Sequence, residues 1–105
     1  MNIYNWGTLV EYYTIHADCK DTLEKWYHDV STKNWKKPTD IRKDYSKART
    51  IKNDRAIFEI NGSDYRLIVE LNYEKGWVFI KFLGTHAEYD EVDALTVDMY
   101  RKKKK

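Results

Sequence analysis

Four side chains suited to phosphate chemistry fall close together in this 105-residue chain: Arg66, Lys81, His86 and Tyr89, within the stretch Ala56 to Tyr89. A guanidinium fork grips phosphate oxygens, and an amine adds a second positive charge. An imidazole exchanges a proton near neutrality, and a phenol orients or protonates. Scission of RNA by its own 2′-hydroxyl needs a base for that hydroxyl, positive charge for the pentavalent phosphate and an acid for the leaving oxygen. It requires no metal and no cofactor. The four residues form the candidate catalytic set, and Glu59 is a candidate base or modulator beside them.

These groups must be held by strands. Ala56 to Ile60 places Ala56, Phe58 and Ile60 on one face, and Asn61-Gly62-Ser63-Asp64 reads as a four-residue turn. Tyr65 to Glu74 alternates, with Tyr65, Leu67, Val69, Leu71 and Tyr73 on one side and Arg66, Glu70 and Asn72 on the other. The turn puts Glu59 opposite Arg66. A two-residue loop at Lys75-Gly76 predicts Val69 opposite Phe82, Glu70 opposite Lys81, and Arg66 opposite Thr85, next to His86. Gly84 ends the strand, and Glu88 to Leu95 reads as a short helix.

Upstream, Asn2 to Trp6 fits a short strand and Thr8 to Ile15 a helix. Lys20 to Thr32 fits a second helix, capped by Asp18 or Asp21, with Leu23, Trp26, Tyr27 and Val30 as its buried stripe. Pro38 stops one helical run and starts a short turn, and Ala48 to Lys52 fits a strand ending at the Asn53-Asp54 turn. The fold expected is α+β: N-terminal helices packed on a small, mostly antiparallel, twisted sheet. His16 and His28 read as helix-surface or packing residues.

Length allows one domain, residues 1–105, with a single core and any activity in a surface cleft. The 15% aromatic content argues against a disordered chain. Net charge is only +2, but it is unevenly spread. Setting aside the five cations Arg101 to Lys105, read as a flexible basic tail, leaves fourteen cations against seventeen acids. Between Lys33 and Arg55 lie nine cations and three acids. Such blocks suit a polyanionic partner, with Lys36, Lys37 and Arg55 as RNA-backbone contacts; the competing reading is a solvated charged face. Cys19 is the single cysteine, which fits a reducing, cytoplasmic setting. The histidine and carboxylate spacings form no zinc motif, and neither a signal peptide nor a membrane span is apparent.

The text Ile57-Phe58-Glu59-Ile60-Asn61-Gly62-Ser63-Asp64-Tyr65-Arg66-Leu67-Ile68, with Phe79-Ile80-Lys81 and Gly84-Thr85-His86-Ala87-Glu88-Tyr89-Asp90, resembles the HigB-type toxins of bacterial type II toxin-antitoxin systems, in the RelE-like superfamily. The likeness extends upstream to Trp35-Lys36-Lys37-Pro38 with Ile41 and covers most of the chain from about residue 33. It implies a compact α+β toxin that cleaves messenger RNA, generally on the translating ribosome, and is neutralised by a DNA-binding, helix-turn-helix HigA-type antitoxin. Arg66 matches the sheet arginine that holds the scissile phosphate, and His86 and Tyr89 match positions near the end of the last strand used for catalysis or phosphate binding. Glu59 and Ser63 stand where the family commonly has asparagine, which leaves the general base unassigned. The rival readings are a non-catalytic RNA- or protein-binding domain, and an inactive toxin relative retained for complex formation.

Overall fold

The polypeptide reverses at Asn61 and Gly62, both with positive φ (55° and 67°), and this turn closes a hairpin between β3 (Arg55–Ile60) and β4 (Tyr65–Asn72). Glycine meets that backbone demand at no steric cost, and asparagine tolerates it better than most residues. The structure is a computed structural model and describes residues 1–99. The basic tail at about 101–105 lies outside the described residues.

Five strands form one sheet in the order β1-β5-β4-β3-β2, where β1 is Asn2–Tyr4, β2 is Arg49–Ile51 and β5 is Trp77–Thr85. Only β1 and β5 run parallel; the other neighbours are antiparallel. Helices α1 (Trp6–Ile15) and α2 (Lys20–Ser31) precede α3 (Pro38–Asp44), and α4 (His86–Tyr89) follows β5. The expected α+β architecture is observed.

Helices α1, α2 and α3 cover one face of the sheet. Leu23, Trp26 and Val30 of α2, with Leu9, Trp35 and Ile41, pack against Phe58, Ile60, Leu67, Val69, Val78 and Ile80 in the main core. The stripe on α2 is therefore core, as its spacing requires. No carboxylate caps α2: its N-cap is Cys19, reached through a 3₁₀ turn at Ala17–Cys19. Asp18 instead accepts the Tyr65 hydroxyl at 2.8 Å.

The register of β3 on β4 is as expected, with Glu59 opposite Arg66. That of β4 on β5 is not. The hairpin closes at Asn72 opposite Trp77, which makes the loop four residues long, and a bulge at Lys81 takes the pairing from Val69–Ile80 to Ile68–Phe82. Glu70 consequently faces Phe79 rather than Lys81, and Arg66 faces Gly84 rather than Thr85. The bulge turns Phe82 onto the face that carries Ile68.

That second face also has a core. Ile57, Ile68 and Phe82 are buried there with Tyr89, Val92, Ala94 and Val97 packed over them. The expected helix over residues 88–95 is only the short α4; beyond it the chain runs as an irregular strap across the sheet. Three carbonyls in this strap accept from sheet and loop side chains. Asn53 donates to Leu95, and Arg55 donates to Ala94 and Val97.

Candidate active site

Residues 84–90 carry the site's geometry from sequence to space. Thr85 Oγ1 accepts the Glu88 amide at 3.2 Å while Glu88 Oε1 accepts the Thr85 amide at 2.8 Å, a reciprocal capping box that starts α4 where β5 ends. The His86 amide donates to the Asp64 carbonyl at 3.0 Å, which anchors α4 to the β3–β4 turn. Gly84 makes this closeness feasible. A Cβ there would lie 2.6 Å from the Phe82 ring and 2.9 Å from Glu88 Oε1.

Held in this way, Tyr89 becomes the hub of a cationic cluster. The Arg66 guanidinium sits 5.9 Å from the centroid of the Tyr89 ring, within cation–π range. Arg49 Nη1 lies 3.5 Å from the Tyr89 hydroxyl. Arg66 is fixed by donating to the Ser63 carbonyl at 2.8 Å and the Tyr65 carbonyl at 3.3 Å, so the turn that sets the hairpin also aims the guanidinium. These bonds use one terminal nitrogen and leave other guanidinium donors for a ligand.

His86 stands on the first turn of α4, exposed, with its ring 6.4 Å from that of Tyr89. Its Nδ1 is 3.1 Å from Asp90 Oδ2. A carboxylate can only accept, so Nδ1 carries the proton and the lone pair of the neutral ring lies on Nε2. His86 and the two guanidinium groups thus each neighbour Tyr89. Glu59, exposed and opposite Arg66, is the nearest strand carboxylate to that cluster by register.

Arg66, His86 and Tyr89 thus come together, with Glu59 at their edge. Lys81 does not join them. Its ammonium pairs with Asp98 of the strap at 3.0 Å, both side chains being mostly buried, because the bulge turns it toward the strap and away from Glu70. Arg55 also departs from expectation. It is 5% exposed, pairs with Glu70 at 3.0 Å and spends a second nitrogen on two strap carbonyls, so it is a structural clamp and presents no surface to RNA. Lys36 and Lys37 are exposed in the loop leading into α3, and no contact ties them to the Tyr89 cluster.

Arg49 is the residue that the sequence reading missed. It lies inside a run of cations where charge alone does not distinguish one position from the next. The available signal was the alternation Arg49-Thr50-Ile51, which places Arg49 and Ile51 on the same side as Ile57 and hence as Arg66.

No helix among the described residues is long and apolar enough to cross a membrane. No curated protein matches the chain. A family model described as HigB toxin, the RelE-like toxic component of a toxin-antitoxin system, matches residues 19–92, a span that holds α2, the whole of β2 to β5, and every member of the Tyr89 cluster. The chain belongs to this HigB family of RelE-like toxins.

Proposed function

We propose that this toxin is an endoribonuclease that cleaves messenger RNA by attack of the 2′-hydroxyl on the adjacent phosphate, acting in the cytoplasm on the translating ribosome. One observation carries the reading: Arg49 and Arg66, from strands on opposite sides of β3, converge on Tyr89, one helical turn from an exposed, carboxylate-oriented His86.

In this reading Arg66, with Arg49, binds the non-bridging oxygens and stabilises the dianionic phosphorane. Charge placed in advance where it will develop is the largest contribution such a site makes. His86 Nε2 takes the 2′-hydroxyl proton, or in its protonated form delivers one to the 5′-oxygen that leaves. The Tyr89 hydroxyl orients the phosphate or serves the opposite end of the same proton transfer. Glu59 competes with His86 for the role of base. The product is a 2′,3′-cyclic phosphate or the 3′-phosphate derived from it. Lys36 and Lys37 hold the RNA backbone, and residues 1–105 act as one domain whose partner is a HigA-type antitoxin.

The test is expression in a bacterial host with its transcripts mapped. The wild-type chain arrests growth and leaves cut messengers, and Arg66→Ala does neither. Equal arrest by both, or arrest with intact messengers, would refute the ribonuclease reading and favour a docking protein.

A further inference from the structure

The ladder between β4 and β5 omits one residue. Val69 pairs with Ile80 and Ile68 with Phe82, so Lys81 has no partner on β4. An even ladder running on from Asn72 opposite Trp77 would set Lys81 opposite Ile68 and Leu83 opposite Arg66, and would send Phe82 to the face covered by α1, α2 and α3. The bulge changes each of these placements. It puts Phe82 on the strap-covered face with Ile68 and Tyr89, and it brings Gly84 opposite Arg66, with α4 starting two residues later at His86. Where the ladder skips thus decides how α4 is set relative to the Arg66 guanidinium.

A bulge leaves its extra residue outside the ladder, and here the end of the strap clasps that residue twice. The Lys81 carbonyl accepts the Met99 amide at 2.9 Å, and the Lys81 ammonium pairs with Asp98 Oδ2 at 3.0 Å. The two side chains are 17% and 21% exposed, and Asp98 Oδ1 is buried with no hydrogen-bond partner among the described residues. Attraction within so buried and incompletely bonded a pair offsets little of its desolvation, so added stability does not account for it. The best-attested use of such a pair is to select one register over another. Asn53 and Arg55 hold the middle of the strap, at Ala94, Leu95 and Val97, and make no bond to the skipped residue.

We infer that Lys81 and Asp98 are positioning residues whose pair holds the bulge in β5, and with it the register that sets α4 and its Tyr89 against Arg66. The inference deepens the ribonuclease reading and rests on it, because register matters to cleavage only if the Tyr89 cluster does the chemistry. With the pair gone, the strap grips the skipped residue by one bond alone, and the even ladder becomes open to β5. Phe82 then leaves its place beside Ile68, and Tyr89 loses part of the surface it packs on. Arg66 stays aimed, since its bonds run to the carbonyls of Ser63 and Tyr65 on its own turn and strand. RNA binding therefore holds while the chemical step slows.

The test reads register and rate separately. Lys81→Met and Asp98→Ala each break the pair, so either serves if the other does not fold. In the wild type, NMR cross-strand contacts link the backbones of Ile68 and Phe82; in both variants, contacts between Ile68 and position 81 are expected to appear. Single-turnover cleavage per folded molecule should fall about tenfold to a hundredfold, with affinity for an uncleavable 2′-deoxy messenger unchanged. Lys81→Arg, which keeps the cation and can reach both carboxylate oxygens, should restore the wild-type register and rate. An intact Ile68–Phe82 register in the two broken-pair variants would overturn the inference, whatever the rate. So would faster cleavage or tighter RNA binding by Asp98→Ala, which would assign the released ammonium to the RNA. The register measurement needs no RNA, so a wild type that cuts no messenger would contradict the ribonuclease reading and leave the lock to stand or fall on its own result.

Discussion

The guanidinium of Arg66 and the ring of Tyr89 face each other at 5.9 Å, joining the middle of the sheet to the four-residue helix α4. At such a partly exposed site the pairing is worth about 0.5–1 kcal/mol, too little to explain the placement as stabilisation alone. What it fixes is the direction of a cation and a phenol relative to His86. The capping box, the bond from the His86 amide to Asp64 and the absence of a Cβ at Gly84 all serve the same positioning.

Substitutions at Tyr89 separate its ring from its hydroxyl. Tyr89→Phe keeps the surface under Arg66 and loses the contact to Arg49, so single-turnover cleavage should fall about tenfold. Arg66→Ala should cost on the order of 10²–10³ in rate, the range expected for removal of a donor to a developing oxyanion. Both variants should melt close to the wild type, because neither side chain belongs to the fully buried core.

Gly84→Ala introduces a methyl group into atoms 2.6 and 2.9 Å away, one of them on the buried Phe82 ring. Overpacking of this kind costs about 1–3 kcal/mol and moves whichever element gives way more easily. The yielding element is α4, so cleavage should fall by more than the loss of folded protein accounts for. Thermal melts read against rates per folded molecule provide the check.

Arg55→Ala removes the donor of two strap carbonyls and the partner of Glu70. Loss of these partly buried hydrogen bonds should destabilise the protein by about 2–3 kcal/mol in urea titrations and expose Ile57, Ile68 and Phe82 to a hydrophobic dye. The salt dependence of RNA binding should not change. A reduction of about one in that slope would mark Arg55 as a phosphate contact after all.

Alkaline stability should depend on Tyr65. Its hydroxyl donates to Asp18, and that bond, helped by burial, pushes its pKa up to about 12. The unfolded phenol ionises near 10, so above that pH the unfolded state releases a proton that the native state keeps. The stabilisation is complete below pH 10 and is lost as pH rises toward about 12. Tyr65→Phe should lower stability at neutral pH and flatten the decline across that window, as measured by denaturant titration at each pH.

The sequence disclosed one hairpin better than the other for a physical reason. Between β3 and β4, a polar four-residue turn and matched alternation leave one register that buries Phe58 and Leu67 and exposes Glu59. Between β4 and β5, both faces of the sheet are apolar near Ile68, so alternation could not tell which side Phe82 joins. The second face is apolar because the strap at 90–99 covers it, and the strap's irregular backbone has no periodic signature. Arg55 and Lys81 were misplaced with it, since each is drawn to strap groups that local sequence does not reveal. The nearness of Arg66 to Tyr89 was legible because β4 pairs antiparallel with β5 and α4 starts where β5 ends. Arg49 required knowledge of which strand lies beside β3.

The most direct measurement of the central claim uses two messengers that differ in a single oxygen. One is all ribose; the other carries a 2′-deoxy sugar on the 5′ side of the bond that is cut. The proposed chemistry predicts that the first is cleaved to a 2′,3′-cyclic phosphate end while the second survives intact at that position. Equal cleavage of both would mean that the nucleophile is not the RNA's own hydroxyl, and would contradict the roles given to Arg66, His86 and Tyr89.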